Sequence, residues 1–271
     1  MRLSISSIAW TPEEEHDVAK GLQDLRVDAV ELAPTKIWDD PTVVTQSEAD
    51  KVTSWWKGYD IDVIAFQSML FARPDLKLFE SEENRSECLE YLKKFTMLAG
   101  MMGVQKMVFG SPKNRQRGEM SYAEAFDIAK EFFGEIAKVA HENGVVFCIE
   151  PNAPQYACDF VTTAREGADL VRAVNHPGLG LHLDTACMTL AGDDIAISIR
   201  ENADILSHFH VSSPMLGLVE SGSLVGHSSA ARALSDIGYD KFISIEMRPG
   251  DRGTNPERVE TAVLFVNSIY S

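Results

Sequence analysis

The strongest constraint on the fold is one unit that recurs along the whole chain of 271 residues. A short run rich in β-branched residues is followed by a loop and then by a stretch with apolar residues at helical spacing. The runs are "LSISSIA", "DAVELA", "IDVIAFQ", "QKMVFG", "VVFCIE", "LGLHLD", "LSHFHV" and "FISIE". Strands that alternate with helices over such short crossovers predict a parallel sheet.

Eight such units in a chain of this size predict a closed (β/α)8 TIM barrel that forms a single domain over residues 1–271. The helical pattern is clearest from Tyr122 to Gly144, where Ser121 is a good N-cap and Glu124 completes a capping box. No Ser/Pro linker or change of composition marks a second domain. The alternative is a doubly wound open sheet, which would usually carry a glycine-rich phosphate loop after its first strand, and "SIAWTPEEE" has none.

Charge and composition restrict the partners. Acidic residues outnumber basic ones 41 to 25, so the chain lacks the basic stripe of a nucleic-acid-binding surface. No apolar run approaches the roughly 18 residues that span a bilayer. The four cysteines show no paired metal spacing, and the N-terminal "MRLSISSIAW" resembles a strand more than a signal peptide. We expect a cytoplasmic protein with a small-molecule substrate and no nucleic-acid or membrane partner; a homo-oligomer stays open.

Polar residues end the last four predicted strands. They are Glu150, Asp184, His210 and Glu246. Each follows an apolar residue that should face the helices, so strand alternation turns the four polar side chains inward. Because catalytic residues of TIM barrels lie at the C-terminal strand ends, these side chains should converge on one point.

Three carboxylates that converge in a partly buried site would raise one another's pKa unless a cation neutralised them. Hard oxygen ligands with one imidazole suit Mn²⁺, Mg²⁺ or Co²⁺, and also Zn²⁺. A single acid at a strand end is more often a helix N-cap, but four polar residues on four consecutive strands fit that interpretation poorly. The pattern therefore predicts one divalent metal ion.

The segments "CIEPN", "HLDT", "HFHVSS" and "ISIEM", in this order, resemble the xylose-isomerase-like barrel superfamily. Within it, the pattern is most similar to the sugar isomerases and epimerases typified by tagatose 3-epimerase, and the resemblance spans essentially the whole chain. It implies that Glu150, Asp184, His210 and Glu246 bind one divalent metal ion, commonly Mn²⁺. It also implies that Glu150 and Glu246 exchange a substrate proton on opposite faces of an enediolate. The implied activity is metal-dependent isomerisation or epimerisation of a sugar or sugar derivative.

Two positions depart from the family pattern. The epimerases usually have a histidine three residues after the aspartate, where this chain has Cys187, and an arginine in the loop after strand seven, where it reads "HVSSPMLGLV". Both positions contact substrate in the family, so a lyase or dehydratase acting on a keto-sugar is the alternative.

An apurinic-site endonuclease is a remote alternative, because it needs further histidines at the early strand ends, and this chain offers none there. A non-catalytic sugar-binding barrel would not need both glutamates.

Six residues near the strand ends are predicted to bind substrate. They are His208, Arg248, Arg115, Gln67, Trp10 and Cys187. His208 and Arg248 lie two residues from His210 and Glu246 and share their inward face. Arg115 lies in the loop "GSPKNRQRG", which a solvated role explains about equally well. For His182, a place in the core is the favoured interpretation.

Overall fold

Eight parallel strands form the barrel wall in this computed structural model, which describes residues 1–270. They are β1 (Arg2–Ser6), β2 (Ala29–Leu32), β3 (Asp62–Phe66), β4 (Lys106–Phe109), β5 (Val146–Ile149), β6 (Leu179–Asp184), β7 (Leu206–Ser212) and β8 (Phe242–Glu246). Each strand pairs with the next along the chain, and β1 pairs in parallel with β8, which closes the barrel. The predicted TIM barrel is confirmed, and the open-sheet alternative is wrong.

Helices surround the barrel. They are α1 (Glu15–Asp24), α2 (Gln46–Lys57), α3 (Glu82–Met101), α4 (Tyr122–Glu142), α5 (Ala164–Val174), α6 (Thr185–Ala191), α7 (Ile195–Glu201), α8 (His227–Asp236) and α9 (Asn255–Tyr270). The sequence pattern predicted one helix between β6 and β7, but the structure has two. Gly192 ends α6 in a left-handed conformation with φ of 79°. The Asp194 side chain then accepts the Ile197 N–H and begins α7.

Helix α4 follows its predicted course. The Ser121 hydroxyl accepts the Glu124 N–H at 3.3 Å, and the Glu124 carboxylate accepts the Ser121 N–H at 3.3 Å, which completes the predicted capping box. On the buried face, the Phe133 ring packs against Phe109 of β4 and Phe147 of β5 at centroid distances of 5.5 and 6.2 Å. Such aromatic contacts add to the free energy of apolar burial that fixes the helix on the wall.

The core has two zones. Residues on the outer face of the wall, such as Ile149 and Leu183, belong to the apolar layer beneath the helices. The inside of the barrel also holds buried polar side chains, among them Glu31, His208 and His210. Buried polar groups of this kind must be paired with one another or with a bound ion. No helix within residues 1–270 is both long and apolar enough to cross a membrane.

Candidate active site

Four strand ends bring the predicted ligands together. Glu150 directly follows β5, while Asp184 and Glu246 are the last residues of β6 and β8. His210 lies two residues before the end of β7, and the register places it beside Asp184. The ligand atoms of all four side chains lie within 4.8 Å of one another, and all four residues are buried.

Burial and mutual repulsion disfavour the ionised form of carboxylates in this cluster. Burial raises the pKa of Glu150 to about 8, and the neighbouring charges of Glu246 and Asp184 add to the shift. Burial and the Glu246 charge also raise the pKa of Asp184 to about 6. A raised pKa means that the protein disfavours the ionised form, so either protons or a cation must balance the charge.

His210 completes the donor set. Its Nε2 lies 3.1 Å from both carboxylate oxygens of Glu31. Its Nδ1 lies 3.4 Å from Glu246 Oε2 but has no hydrogen-bond partner within residues 1–270. A buried nitrogen without a partner that faces three carboxylates fits a divalent cation, since imidazole and carboxylate are ligands of Mn²⁺, Co²⁺ and Zn²⁺.

Asp184 combines the two roles that a strand-end acid can have. Its Oδ1 accepts the Cys187 N–H at 2.6 Å and so caps α6. Its Oδ2 accepts a hydrogen bond from the Ser212 hydroxyl. Because an ionised carboxylate has about four lone-pair sites, these bonds orient Asp184 and still leave capacity for a metal ion.

A cavity of about 190 Å³ opens beside the cluster. Three members of the cluster, Glu150, Asp184 and Glu246, line it. Other polar lining residues are Gln67, Ser68, Ser111, Asn152, Tyr156 and Cys187. Ligand pockets of drug-sized molecules usually measure about 300–1,000 Å³, so this cavity suits a smaller molecule.

The predicted substrate residues divide into two groups. Gln67 and Cys187 line the cavity. His208 lies deeper in the barrel, where its Nε2 is 2.9 Å from Glu31. Trp10 is buried and packs against Trp56 at a centroid distance of 6.3 Å, away from the cavity lining.

Neither predicted arginine lines the cavity. Arg115 is fully buried, and its Nη2 donates to the Glu150 carbonyl at 2.6 Å and to Asn152 Oδ1 at 2.9 Å. These hydrogen bonds from its guanidinium therefore hold the segment after β5 in place. Arg248 is exposed, and its main-chain N–H donates to the Leu216 carbonyl. A direct substrate contact by either side chain stays a prediction.

Three residues of this region were not predicted. The sequence did offer a clue to Glu31, because it is a lone acid in the otherwise apolar "AVELA", a strand that is buried on both faces. The only clue to Asn152 was its position two residues after Glu150. The sequence offered no clue to Gly110. Only the folded chain shows that a Cβ there would overlap Glu150 Oε2 and lie 3.1 Å from Asn152 Oδ1.

We expect Gly110→Ala to fold but to bind divalent metal about 10–100-fold more weakly, the usual cost of disturbing the shell around a metal ligand. The added Cβ would force the Glu150 carboxylate out of its place. Calorimetric titration with Mn²⁺ measures the affinity, and circular dichroism checks the fold. Gly134→Ala is the control, because a Cβ there meets nothing within 4 Å. Unchanged affinity in Gly110→Ala would contradict the role of Glu150 as a ligand.

Comparison with known proteins places this site in a family. The chain forms a closed (β/α)8 barrel with a carboxylate–histidine cluster at the C-terminal ends of its strands. The family model described as "Xylose isomerase-like TIM barrel" matches residues 20–269. The chain therefore belongs to the xylose isomerase-like TIM barrel family.

Individual relatives are more distant. The chain is 33% identical over 112 residues to a D-psicose 3-epimerase of Ruminiclostridium cellulolyticum, a match that spans 41% of this chain and 38% of the relative. The crystal structure of D-psicose 3-epimerase with D-tagatose from Clostridium cellulolyticum H10 superimposes with a TM-score of 0.82 at 18% identity, and both chains are covered completely. The IolI protein with a bound zinc atom gives a TM-score of 0.76 at 17% identity, again over both whole chains. At these identities, the structural matches show a shared fold.

Proposed function

We propose that the protein is a metal-dependent sugar epimerase or isomerase that moves a proton on a carbon next to a ketose carbonyl. The observation that carries the proposal is that Glu150 and Glu246 line one small cavity together with Asp184. The ligand atoms of these three side chains lie within 4.8 Å of one another and of a ligand nitrogen of the buried His210, whose Nδ1 has no hydrogen-bond partner within residues 1–270. The partial similarity to a D-psicose 3-epimerase supports it.

Each residue of the cluster has a role in this proposal. Glu150, Asp184, His210 and Glu246 would hold one divalent cation, with Mn²⁺ favoured. When bound, such a cation polarises a carbonyl oxygen and the neighbouring hydroxyl, which acidifies the carbon-bound proton.

The two glutamates would transfer the proton. Glu150 follows β5 and Glu246 ends β8, and two strands of the wall separate them, so they approach the cavity from different sides. One carboxylate can then remove the proton from one face, and the other can return a proton to the opposite face. Burial raises the pKa of the Glu150 carboxyl, which favours its role as a proton acceptor.

The cavity lining supports an uncharged substrate. Among residues 1–270, no lysine or arginine side chain lines the cavity, whereas Gln67, Ser68, Ser111 and Asn152 offer neutral donors and acceptors. Such groups match sugar hydroxyls, and a phosphate or carboxylate would lack the cationic partner that usually binds it. We therefore propose a free keto-sugar. Cys187, at the position where the epimerases usually have histidine, keeps a lyase or dehydratase reaction on the same class of substrate as the second candidate.

The test is a panel of free ketoses incubated with the Mn²⁺-loaded protein in D₂O. We expect a new epimer or isomer by chromatography and deuterium at the carbon next to the carbonyl by NMR. Sugar alcohols, which have no carbonyl, serve as controls and should take up no deuterium. A product that has lost water would favour the dehydratase. Absence of exchange and of conversion with every ketose would refute the proposal.

A further inference from the structure

Glu31 is an acid buried inside the barrel. It lies on β2, and no part of it is exposed to solvent. Its Oε2 lies 2.9 Å from His208 Nε2, and both of its oxygens lie 3.1 Å from His210 Nε2. β2 and β7 are not neighbours in the wall, so these hydrogen bonds cross the barrel interior. An ionised buried carboxylate needs such partners, because burial without them is costly.

The contact determines which nitrogen of His210 is free. A neutral imidazole has one N–H, and its other nitrogen offers a lone pair. With the proton on Nε2 and donated to Glu31, the lone pair is on Nδ1, which faces the carboxylate cluster. Without Glu31, Nε2 would lose its acceptor, and Glu246 Oε2 at 3.4 Å would favour the proton on Nδ1 instead. That tautomer cannot ligate a cation in the cluster.

We propose that Glu31 is a positioning residue that prepares His210 for metal binding by holding its proton on Nε2 and fixing the ring. His208 anchors the Glu31 carboxylate from the same strand as His210. The inference rests on the metal site of the proposed function, but it concerns the histidine and the metal affinity, so it can be tested whether or not the protein converts a sugar.

A second ion is the competing interpretation. His182, His208 and His210 each offer a nitrogen within 4.8 Å of the others, and neither ring nitrogen of His182 has a hydrogen-bond partner within residues 1–270. An ion bound among them through Nε2 of His210 would have to displace the hydrogen bond between this nitrogen and Glu31. Glu31 accepts hydrogen bonds from Nε2 of both His208 and His210, which argues for a proton at Nε2 of His210.

The test compares Glu31→Gln with Glu14→Gln. Glutamine keeps the shape at position 31 but cannot accept hydrogen bonds from two imidazoles with both of its terminal atoms. Glu14 is also buried and hydrogen-bonded, to Asn255 and Thr11, but it does not line the cavity. We expect Glu31→Gln to weaken Zn²⁺ and Mn²⁺ binding about 10–100-fold in calorimetric titrations. Glu14→Gln should lower thermal stability without changing metal affinity.

Nitrogen-15 NMR of the Zn²⁺-loaded protein, which is diamagnetic, shows directly which nitrogen of His210 carries a proton and which binds zinc. In the wild type, we expect Nδ1 of His210 to be the zinc ligand and its Nε2–H to be protected from exchange. In Glu31→Gln, this proton should exchange faster. Should Glu31→Gln fail to fold, the wild-type spectrum alone decides, because zinc on Nε2 of His210 would overturn the proposal. Wild-type metal affinity in Glu31→Gln, or two zinc ions per chain in the wild type, would also overturn it.

Discussion

Replacing Glu150 or Glu246 by glutamine is expected to lower turnover by about 10²- to 10⁴-fold, the usual contribution of a general base, while the fold is retained. Glutamine has the shape of glutamate and keeps one oxygen for a metal ion, but it cannot accept a proton at neutral pH. Steady-state turnover of the ketose found with the panel is the measurement. Metal content must be determined in the same samples, because the loss of a carboxylate also weakens the site. Glu220→Gln, at an exposed position in the loop after β7, is the control.

Deuterium exchange separates the two glutamates. A variant that has lost one base can still exchange the substrate proton on the face that the other base serves, without net conversion. We therefore expect one of the two variants to wash deuterium from D₂O into the substrate faster than it forms product. Wild-type turnover in both metal-loaded variants would show that the glutamates are only ligands.

Removing the metal is expected to abolish turnover, and Mn²⁺ or Co²⁺ should restore it best. The reason is that a carbon-bound proton is far too weakly acidic for a carboxylate unless the neighbouring carbonyl is polarised. Elemental analysis should find about one divalent ion per chain before chelation, and dialysis against a chelator followed by an ion series gives the activities. Full activity in a metal-free sample would refute metal dependence.

The metal-free protein should also lose stability as the pH rises. Burial and the nearby carboxylates raise the pKa of Glu150 from 4.5 to about 8, so the folded state holds this proton more tightly than the unfolded state. The resulting stabilisation is fully present below 4.5 and is lost as the pH rises through 8. Although burial opposes it, the charges of Glu31 and Glu246 raise the pKa of His210 as well, which acts in the same direction.

The melting temperature of the metal-free protein should therefore fall by several degrees between about pH 5 and about pH 8, since each unit by which the pKa of Glu150 is raised corresponds to about 1.4 kcal/mol. Differential scanning calorimetry measures it. The slope should shrink in Glu150→Gln and in the metal-loaded protein, because neither binds this proton. A metal-free protein that became more stable over this range would contradict the electrostatic description of the cluster.

The convergence of the four candidate ligands could be predicted from the sequence because two regularities act together. Strand alternation decides which side chains face inward, and barrel closure brings neighbouring strand ends to one place. Neither depends on the details of packing. The approximate positions of Glu150, Asp184 and Glu246 could therefore be derived from their places in the apolar runs. His210 lies two residues before the end of its strand, since β7 continues to Ser212.

Loop residues were harder to predict. From the sequence, the segment that contains Arg115 could either bind substrate or be solvated, yet the side chain turns into the protein and donates to the Glu150 carbonyl. Its direction depends on contacts that form only when the segments after β4 and β5 meet. The same holds for Glu31, whose charge was visible in the sequence but whose partner, His210, lies 179 positions away across the barrel.

The cap of α6 has an evolutionary consequence. The main-chain N–H of Cys187 fixes Asp184, while the side chain of Cys187 faces the cavity. Every amino acid except proline supplies that N–H. Mutation can therefore change the side chain at position 187 without releasing the aspartate. A lineage can diversify what the barrel accepts at this position while it inherits the carboxylate–histidine cluster unaltered.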